Sequence, residues 1–225
     1  MRASDDIEFA TERQAMVEII AAYVFFSSDQ TQRQKLDDRV MTALARVPRH
    51  KYVPLELQQV AYEDTPLPIG CGKTISQPFM VALMTDLLEI ERDDTVLEIG
   101  TGLGYQAAIL AELASQVYTV EIIEELATEG ENRLRAAGYD NVHFRIGDGS
   151  HGWPEHAPYT KIVVTAAPEL IPPMLLQQLK AGGKMVIPAG IEDRQQLLLV
   201  EKDARGRLST REVIPVRFSP LIISH

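Results

Sequence analysis

Apolar residues recur at helical spacing over residues 8–26 and again over 34–46, with a polar segment at 27–33 between them, which predicts two N-terminal helices. Pro48 and Pro54 then interrupt regular structure, and residues 64–78, carrying Pro66, Pro68, Gly70, Gly72 and Pro78, read as a long loop. Loops of that length in a compact domain are usually functional. Pro78 can open a helix that buries Met80, Leu83, Met84, Leu87 and Leu88. From Thr95 the period changes. Short β-branched runs at residues 96–99, 117–121, 142–146, 162–165 and 184–187 alternate with helical stretches at 105–113, 123–137 and 171–179. That alternation predicts an α/β fold with a doubly wound, mostly parallel sheet and helices on both faces. Two last runs, 197–201 and 212–218, flank Asp203, Arg205 and Gly206 and predict antiparallel strands at the sheet edge. In domain terms, residues 1–60 form a helical region packed on the core and residues 61–225 the main domain, together one structural unit.

The 225 residues are 45% hydrophobic and 24% charged, enough for one substantial core. A formal charge of −10 argues against nucleic-acid binding, which needs clustered Lys and Arg to neutralise phosphates. Cys71 is the only cysteine, so no intrachain disulfide can form and a reducing cytoplasm is the expected location. Asp5, Asp6 and Glu8 stand where a signal peptide would carry basic residues, so none is expected. The apolar stretch 16–26 includes Glu18 and is shorter than the roughly 20 residues of a spanning helix, so no membrane role is expected. His151 and His156 flank Trp153 and Pro154 without the spacing of a helical zinc pair; no metal is expected.

The chemistry is concentrated at strand ends. Residues 96–105, VLEIGTGLGY, run from a buried strand through glycines into a helix, where missing Cβ atoms permit a sharp turn and a close approach to a ligand. A dinucleotide fingerprint would need glycine at Tyr105. Moreover, Glu98 would repel a pyrophosphate at the helix N-terminus, whereas S-adenosyl-L-methionine carries a sulfonium and an ammonium and no phosphate. Glu121 ends the next strand, where a carboxylate can accept from ribose hydroxyls; its plainer reading is a helix-initiating acid. Asp148, between Gly147 and Gly149 after the third strand, can accept from an adenine amino group or simply close a turn. Three such signals converge on the crevice at the carboxyl ends of an open sheet. Residues 165–168 read Thr-Ala-Ala-Pro, without the Asn-Pro-Pro-aromatic pattern frequent in methylation of base amines.

Several segments together resemble the protein-L-isoaspartate O-methyltransferases: Arg46-Val47-Pro48-Arg49 with Tyr52-Val53; residues 62–78, YEDTPLPIGCGKTISQP; VLEIGTGLGYQAAILAELA from Val96; GYDNVHFRIGDGSHGWPEHAPY from Gly138; IVVTAAP from Ile162; and the final VRFSPL from Val216. The likeness covers nearly everything from about Arg39 onward, while residues 23–32 look like an insertion, and Cys71 and Lys73 differ from the usual loop residues. It implies the class I methyltransferase fold, S-adenosyl-L-methionine as cofactor with S-adenosyl-L-homocysteine as product, and isoaspartyl proteins and peptides as acceptors. It also implies roles for residues. Ser76 would stand at the catalytic centre, and Thr74 and Ile75 would close the cofactor pocket with Glu98, Gly100, Thr101, Gly102, Gly104, Glu121, Asp148 and Gly149. Leu67, Pro68, Ile69 and Gly70 would flank the acceptor peptide together with Val216, Arg217, Phe218 and Pro220.

Without that likeness, Ser76 reads as the N-cap of the helix that Pro78 opens. An isoaspartyl α-carboxylate is ionised at neutral pH (α-carboxyl pKa about 3.5), so methyl transfer to it needs alignment more than a general base. The competing readings are a peptide aspartate methyltransferase acting on a ribosomal peptide, a noncatalytic module that binds the cofactor, and, more distantly, an NAD oxidoreductase.

Overall fold

The computed structural model describes residues 8–191 and 193–223; the acidic start with Asp5 and Asp6 lies outside them. Helix α1 (Ala10–Phe26) buries Met16, Ile20 and Val24, one stripe at four-residue spacing. A single turn, α2 (Ser28–Thr31), follows and ends at left-handed Gln32, so residues 23–32 form the end of α1 and this turn. Helix α3 (Asp38–Arg46) starts later than the apolar pattern suggests because Asp37 caps it, accepting from the Arg39 N–H at 2.8 Å.

Residues 64–78, expected as a loop, contain a two-stranded antiparallel hairpin, β1 (Leu67–Gly70) and β2 (Lys73–Ile75), with Leu67 opposite Ile75 and Pro68 opposite Thr74. Leu67, Ile69 and Ile75 are buried while Pro68 and Gly70 are exposed. The period is that of a strand, but too short to stand out among prolines and glycines. Helix α4 (Pro78–Leu88) follows, with every residue buried: α1 and α3 pack on it from one side, and the sheet from the other.

The sheet is then built from β3 (Thr95–Ile99), α5 (Tyr105–Leu113), β4 (Gln116–Glu121), α6 (Glu124–Ala137), β5 (Val142–Ile146), β6 (Tyr159–Val164), α7 (Pro173–Gln178), β7 (Leu179–Ile191), β8 (Arg194–Lys202) and β9 (Leu208–Val216). Its order is β5-β4-β3-β6-β7-β8-β9, parallel from β5 to β7 and antiparallel through β8 and β9. Two expectations are revised here. The run at 184–187 is the centre of a strand of 13 residues, and the helix before it stops at Gln178 rather than 179. Pairing with β6 on one side and β8 on the other extends β7 well beyond its apolar centre.

Alternate residues of β3 feed the two faces. Val96 joins Met16, Ile20, Leu83, Leu87, Val117 and Val163 in one apolar cluster, and Leu97 and Ile99 join Ile162, Val164 and Ile187 in the other. The N-terminal helices thus share their core with the sheet. Among the described residues no helix is long and apolar enough to cross a membrane. The chain leaves β3 toward β4 on one side and β6 on the other, so a crevice opens at the carboxyl ends of these strands.

Candidate active site

That crevice is a cleft of about 490 Å³. Ile99, Gly100, Gly102, Glu121, Gly149 and Thr165 line it from the sheet, and Ile69, Lys73, Thr74, Ser76 and Met80 from the hairpin and the start of α4. Residues 215–222 complete it as a strap. The strap is held in place: the Ala167 N–H donates to the Ser219 carbonyl at 2.8 Å, and the Leu221 N–H to the Ala167 carbonyl at 2.9 Å. Buried Gln195 clamps Phe218 from both sides, accepting from its N–H at 2.7 Å and donating to its carbonyl at 3.2 Å.

The glycine turn is shaped by the protein itself. Gly100 has φ +98°, and a Cβ there would lie 2.3 Å from the Thr165 hydroxyl, which sits within hydrogen-bond reach of the Ile99 and Gly100 carbonyls at 3.0 and 2.8 Å. Gly104, at φ +96°, would drive a Cβ into Leu134. Packing between strand ends and helices therefore already requires glycine at both positions.

Glu121 is 7% exposed at the end of β4 and faces the cleft. Its carboxylate accepts from the N–H groups of Gly102 (2.9 Å), Ile122 (3.0 Å) and Ile123 (3.1 Å), which ties the glycine turn to the start of α6. Glu98 behaves differently. It is wholly buried, does not line the cleft, and accepts from the Thr119 hydroxyl at 2.5 Å, which is itself 2.6 Å from the Thr101 hydroxyl. Burial pushes its pKa up to about 8, against one lowering contact from Thr119 and with Glu121 adding to the rise. At neutral pH the side chain is thus mostly uncharged, and the electrostatic attraction expected of it is weaker than a bare carboxylate would exert.

This has a measurable consequence. In the unfolded chain a glutamate titrates near its ordinary 4.5, so between about pH 5 and 8 the unfolded state is ionised while the fold keeps the proton. The contribution of Glu98 to stability therefore falls as pH rises through that window and is level above it. Replacing Glu98 with Gln is expected to flatten the stability profile from pH 5 to 8.5 and to raise the denaturation midpoint most at the alkaline end. Denaturant titrations that run parallel to the parent at every pH would contradict the buried, proton-holding carboxyl.

Ser76 lines the cleft beside the start of α4, but the helix is capped by another residue. Asp64 accepts from the Phe79 N–H at 2.8 Å and from the Gln77 amide at 2.7 Å. The reading of Ser76 as an N-cap is corrected accordingly: Gln77 holds the cap position, and no described group engages the Ser76 hydroxyl. The Ser76 carbonyl, by contrast, is fixed. Buried Arg49 donates to it from Nη2 at 2.8 Å and to the Ala61 carbonyl from Nε at 2.8 Å, with its guanidinium 4.9 Å from the centre of the Tyr105 ring. Burial lowers the Arg49 pKa to about 10, which still leaves it cationic at neutral pH. One side chain so joins the Ser76 segment to the helix that follows the glycine turn.

Of the residues singled out from sequence, Thr74, Ser76, Gly100, Gly102, Glu121, Gly149, Ile69, Val216, Arg217, Phe218 and Pro220 line the cleft. Ile75, Glu98, Thr101, Gly104, Asp148, Leu67, Pro68 and Gly70 stand behind or beside it. Asp148 caps a short turn, accepting from the Ser150 N–H at 2.8 Å. His151 has Nδ1 3.9 Å from that carboxylate, and His156 stacks on Tyr118. Sequence reasoning missed Gln77, Met80, Ile122 and Leu126 as lining residues. Ile122 and Leu126 had a signal: they follow the strand-end acid at one and five positions, Ile122 just ahead of the helix that starts at the cleft and Leu126 on its first turn. Apolar Val120, Ile122 and Leu126 beside the Glu121 carboxylate suit a nucleoside, which presents a flat base and a diol. The buried Glu98 Oε1 has no hydrogen-bond partner among the described residues.

Comparison with known proteins gives a consistent answer. The model of the protein-L-isoaspartate(D-aspartate) O-methyltransferase family matches residues 23–224. A Polaromonas sp. protein-L-isoaspartate O-methyltransferase 1 is 62% identical over 214 residues, 95% of this chain and 91% of that protein. A protein-L-isoaspartate O-methyltransferase 2 from Syntrophobacter fumaroxidans is 54% identical over 224 residues, 99% of this chain and 90% of its own. Among solved structures, a protein-L-isoaspartate O-methyltransferase superposes with a TM-score of 0.79 at 28% identity, over 92% of this chain and 65% of that one. A Plasmodium falciparum chain solved with S-adenosyl-L-homocysteine gives 0.77 over 93% of this chain and 98% of its own; at 21% identity it speaks to the fold.

Proposed function

The chain belongs to the protein-L-isoaspartate(D-aspartate) O-methyltransferase family, and from that membership we propose how its cleft works. It is an S-adenosyl-L-methionine-dependent protein carboxyl O-methyltransferase that methylates the free α-carboxylate of L-isoaspartyl residues, the step that opens their repair through a succinimide. When bound, the cofactor supplies an electrophilic sulfonium methyl group and leaves as S-adenosyl-L-homocysteine.

The chain's own residues bind, align and exclude water. Glu121 accepts from the sugar of the cofactor, Val120, Ile122 and Leu126 enclose its base, and Asp148, with Gly149, stands near enough to the same strand end to address the base edge. Thr101 and Glu98 sustain the turn beneath through the Thr119 relay, with Gly100, Gly102 and Gly104 giving it its shape. Thr74 and Ile75 close the cofactor side of the hairpin. The acceptor enters between Leu67–Gly70 and the strap carrying Val216, Arg217, Phe218 and Pro220. Ser76 donates its hydroxyl to the acceptor carboxylate and orients it for in-line attack. No base is required, since the nucleophile is already ionised.

The observation that carries this assignment is the division of labour at the start of α4: Asp64 caps the helix, and the Ser76 hydroxyl is left available to the cleft. Replacing Ser76 with Ala should therefore leave stability within about 0.5 kcal/mol of the parent. Cofactor affinity should hold as well, while methyl transfer falls by about tenfold or more, as for one lost hydrogen bond to a charged group. Full turnover in Ser76→Ala would remove the hydroxyl from the reaction, and a large drop in melting temperature would return it to a structural role.

We place the working protein in the cytoplasm, supported by its single cysteine, and read the N-terminal helices and the sheet as one unit, supported by their common core.

A further inference from the structure

Among the described residues three charged side chains line the cleft: Glu121, Lys73 and Arg217. Glu121 is committed to three backbone donors on the sheet side. The two cations come from the parts that cover the cleft, Lys73 from the hairpin strand β2 and Arg217 from the strap. No described acid pairs with the Lys73 ammonium, and among the described residues the acid paired with Arg217 is Asp193, at 3.7 Å with both side chains mostly exposed. An isoaspartyl residue brings a single carboxylate, which leaves one cation over.

From this we infer that Lys73 is a specificity-determining residue that favours isoaspartyl acceptors with a further acidic side chain within three residues of the damaged site. The inference rests on the acceptor role proposed above for this side of the cleft. Three residues of extended chain separate Lys73 from Ser76, a span of at most about 10 Å. A peptide whose carboxylate lies at Ser76 therefore carries its near neighbours past Lys73. That separation is close to the Debye length of about 8 Å at physiological salt, so the attraction acts locally and is screened by added salt. The chain as a whole works the other way: a formal charge of −10 repels an acidic peptide at long range. Without the local cation, acidic flanks would be disfavoured.

The test uses three isoaspartyl peptides identical except for Glu, Gln or Lys two residues from the isoaspartyl position, methylated by the full chain at low and at 0.5 M salt (roughly a halved screening length). At low salt KM for the Glu peptide is expected to lie about threefold to fivefold below that for the Lys peptide, the size of a partly exposed ion pair. The order should persist in Lys73→Arg, collapse in Lys73→Gln and invert in Lys73→Glu, with kcat moving less than KM. High salt should erase it in the parent. Calorimetric titration with S-adenosyl-L-homocysteine confirms that each variant is folded. Equal KM values for the three peptides in the parent, or an unchanged order in Lys73→Glu, would overturn the inference while leaving the methyltransferase assignment standing. Transfer to none of the three would instead defeat the acceptor assignment of the cleft and this inference with it.

Discussion

Replacing Glu121 with Ala is expected to weaken binding of S-adenosyl-L-methionine by about 10- to 150-fold, the equivalent of about 1.5–3 kcal/mol for a hydrogen bond to a charged group. The effect should reach beyond the lost acceptor. The Glu121 carboxylate holds the N–H groups of Gly102, Ile122 and Ile123, so its removal frees the glycine turn from the first turn of α6 at the place where the nucleoside sits. Part of the loss in affinity is thus a loss of preorganisation, and stability should drop as well, by about 1–3 kcal/mol in all, since the three freed donors are part-buried at the cleft and within reach of water. Glu121→Gln keeps one acceptor oxygen and should fall between the parent and the alanine variant. Calorimetric titration and thermal unfolding separate the two contributions. Unchanged affinity in a folded Glu121→Ala variant would take this carboxylate out of the cofactor site.

Much of this architecture is legible in the sequence because its signals are local. The strands at 96–99, 117–121 and 142–146 are short β-branched runs between helices, and the glycine turn, Glu121 and Gly149 stand at their ends, where an open parallel sheet places its ligands. What escaped depends on partners distant in the chain. The cap of α4 comes from Asp64, 15 residues before Phe79, so the nearer Ser76 looked like the obvious candidate. The tether on the Ser76 carbonyl comes from Arg49, 27 residues away, and the clamp on the strap from Gln195, 23 residues before Phe218.

The hairpin at 67–75 was hidden for another reason. Its turn needs left-handed backbone at Gly70, Cys71 and Gly72, with φ of 94°, 51° and 68°, and residues that allow such a turn are also those that mark a loop. Strand β7 was underestimated because Gly182, Gly183 and Pro188 lie inside it: the two glycines fall where its register against β6 shifts, and Pro188 stands opposite Leu197 of β8. Glu98 shows the limit of charge arguments made from sequence alone. Position predicted a carboxylate near a cationic ligand, but whether it bears its charge depends on burial, which here holds the proton to about pH 8.

The most direct measurement of what the cleft selects compares two peptides of the same composition and charge, one with an L-isoaspartyl and one with a normal L-aspartyl residue. They differ only in which carboxylate is free and in one backbone methylene, so net charge cannot distinguish them and only alignment against Ser76, between the hairpin and the strap, can. Radiolabelled methyl transfer from S-adenosyl-L-methionine is expected to be readily measured on the isoaspartyl peptide and at least about a hundredfold slower on the aspartyl one, a difference of about 2.7 kcal/mol in the transition state. Equal rates on the two peptides would contradict the repair assignment.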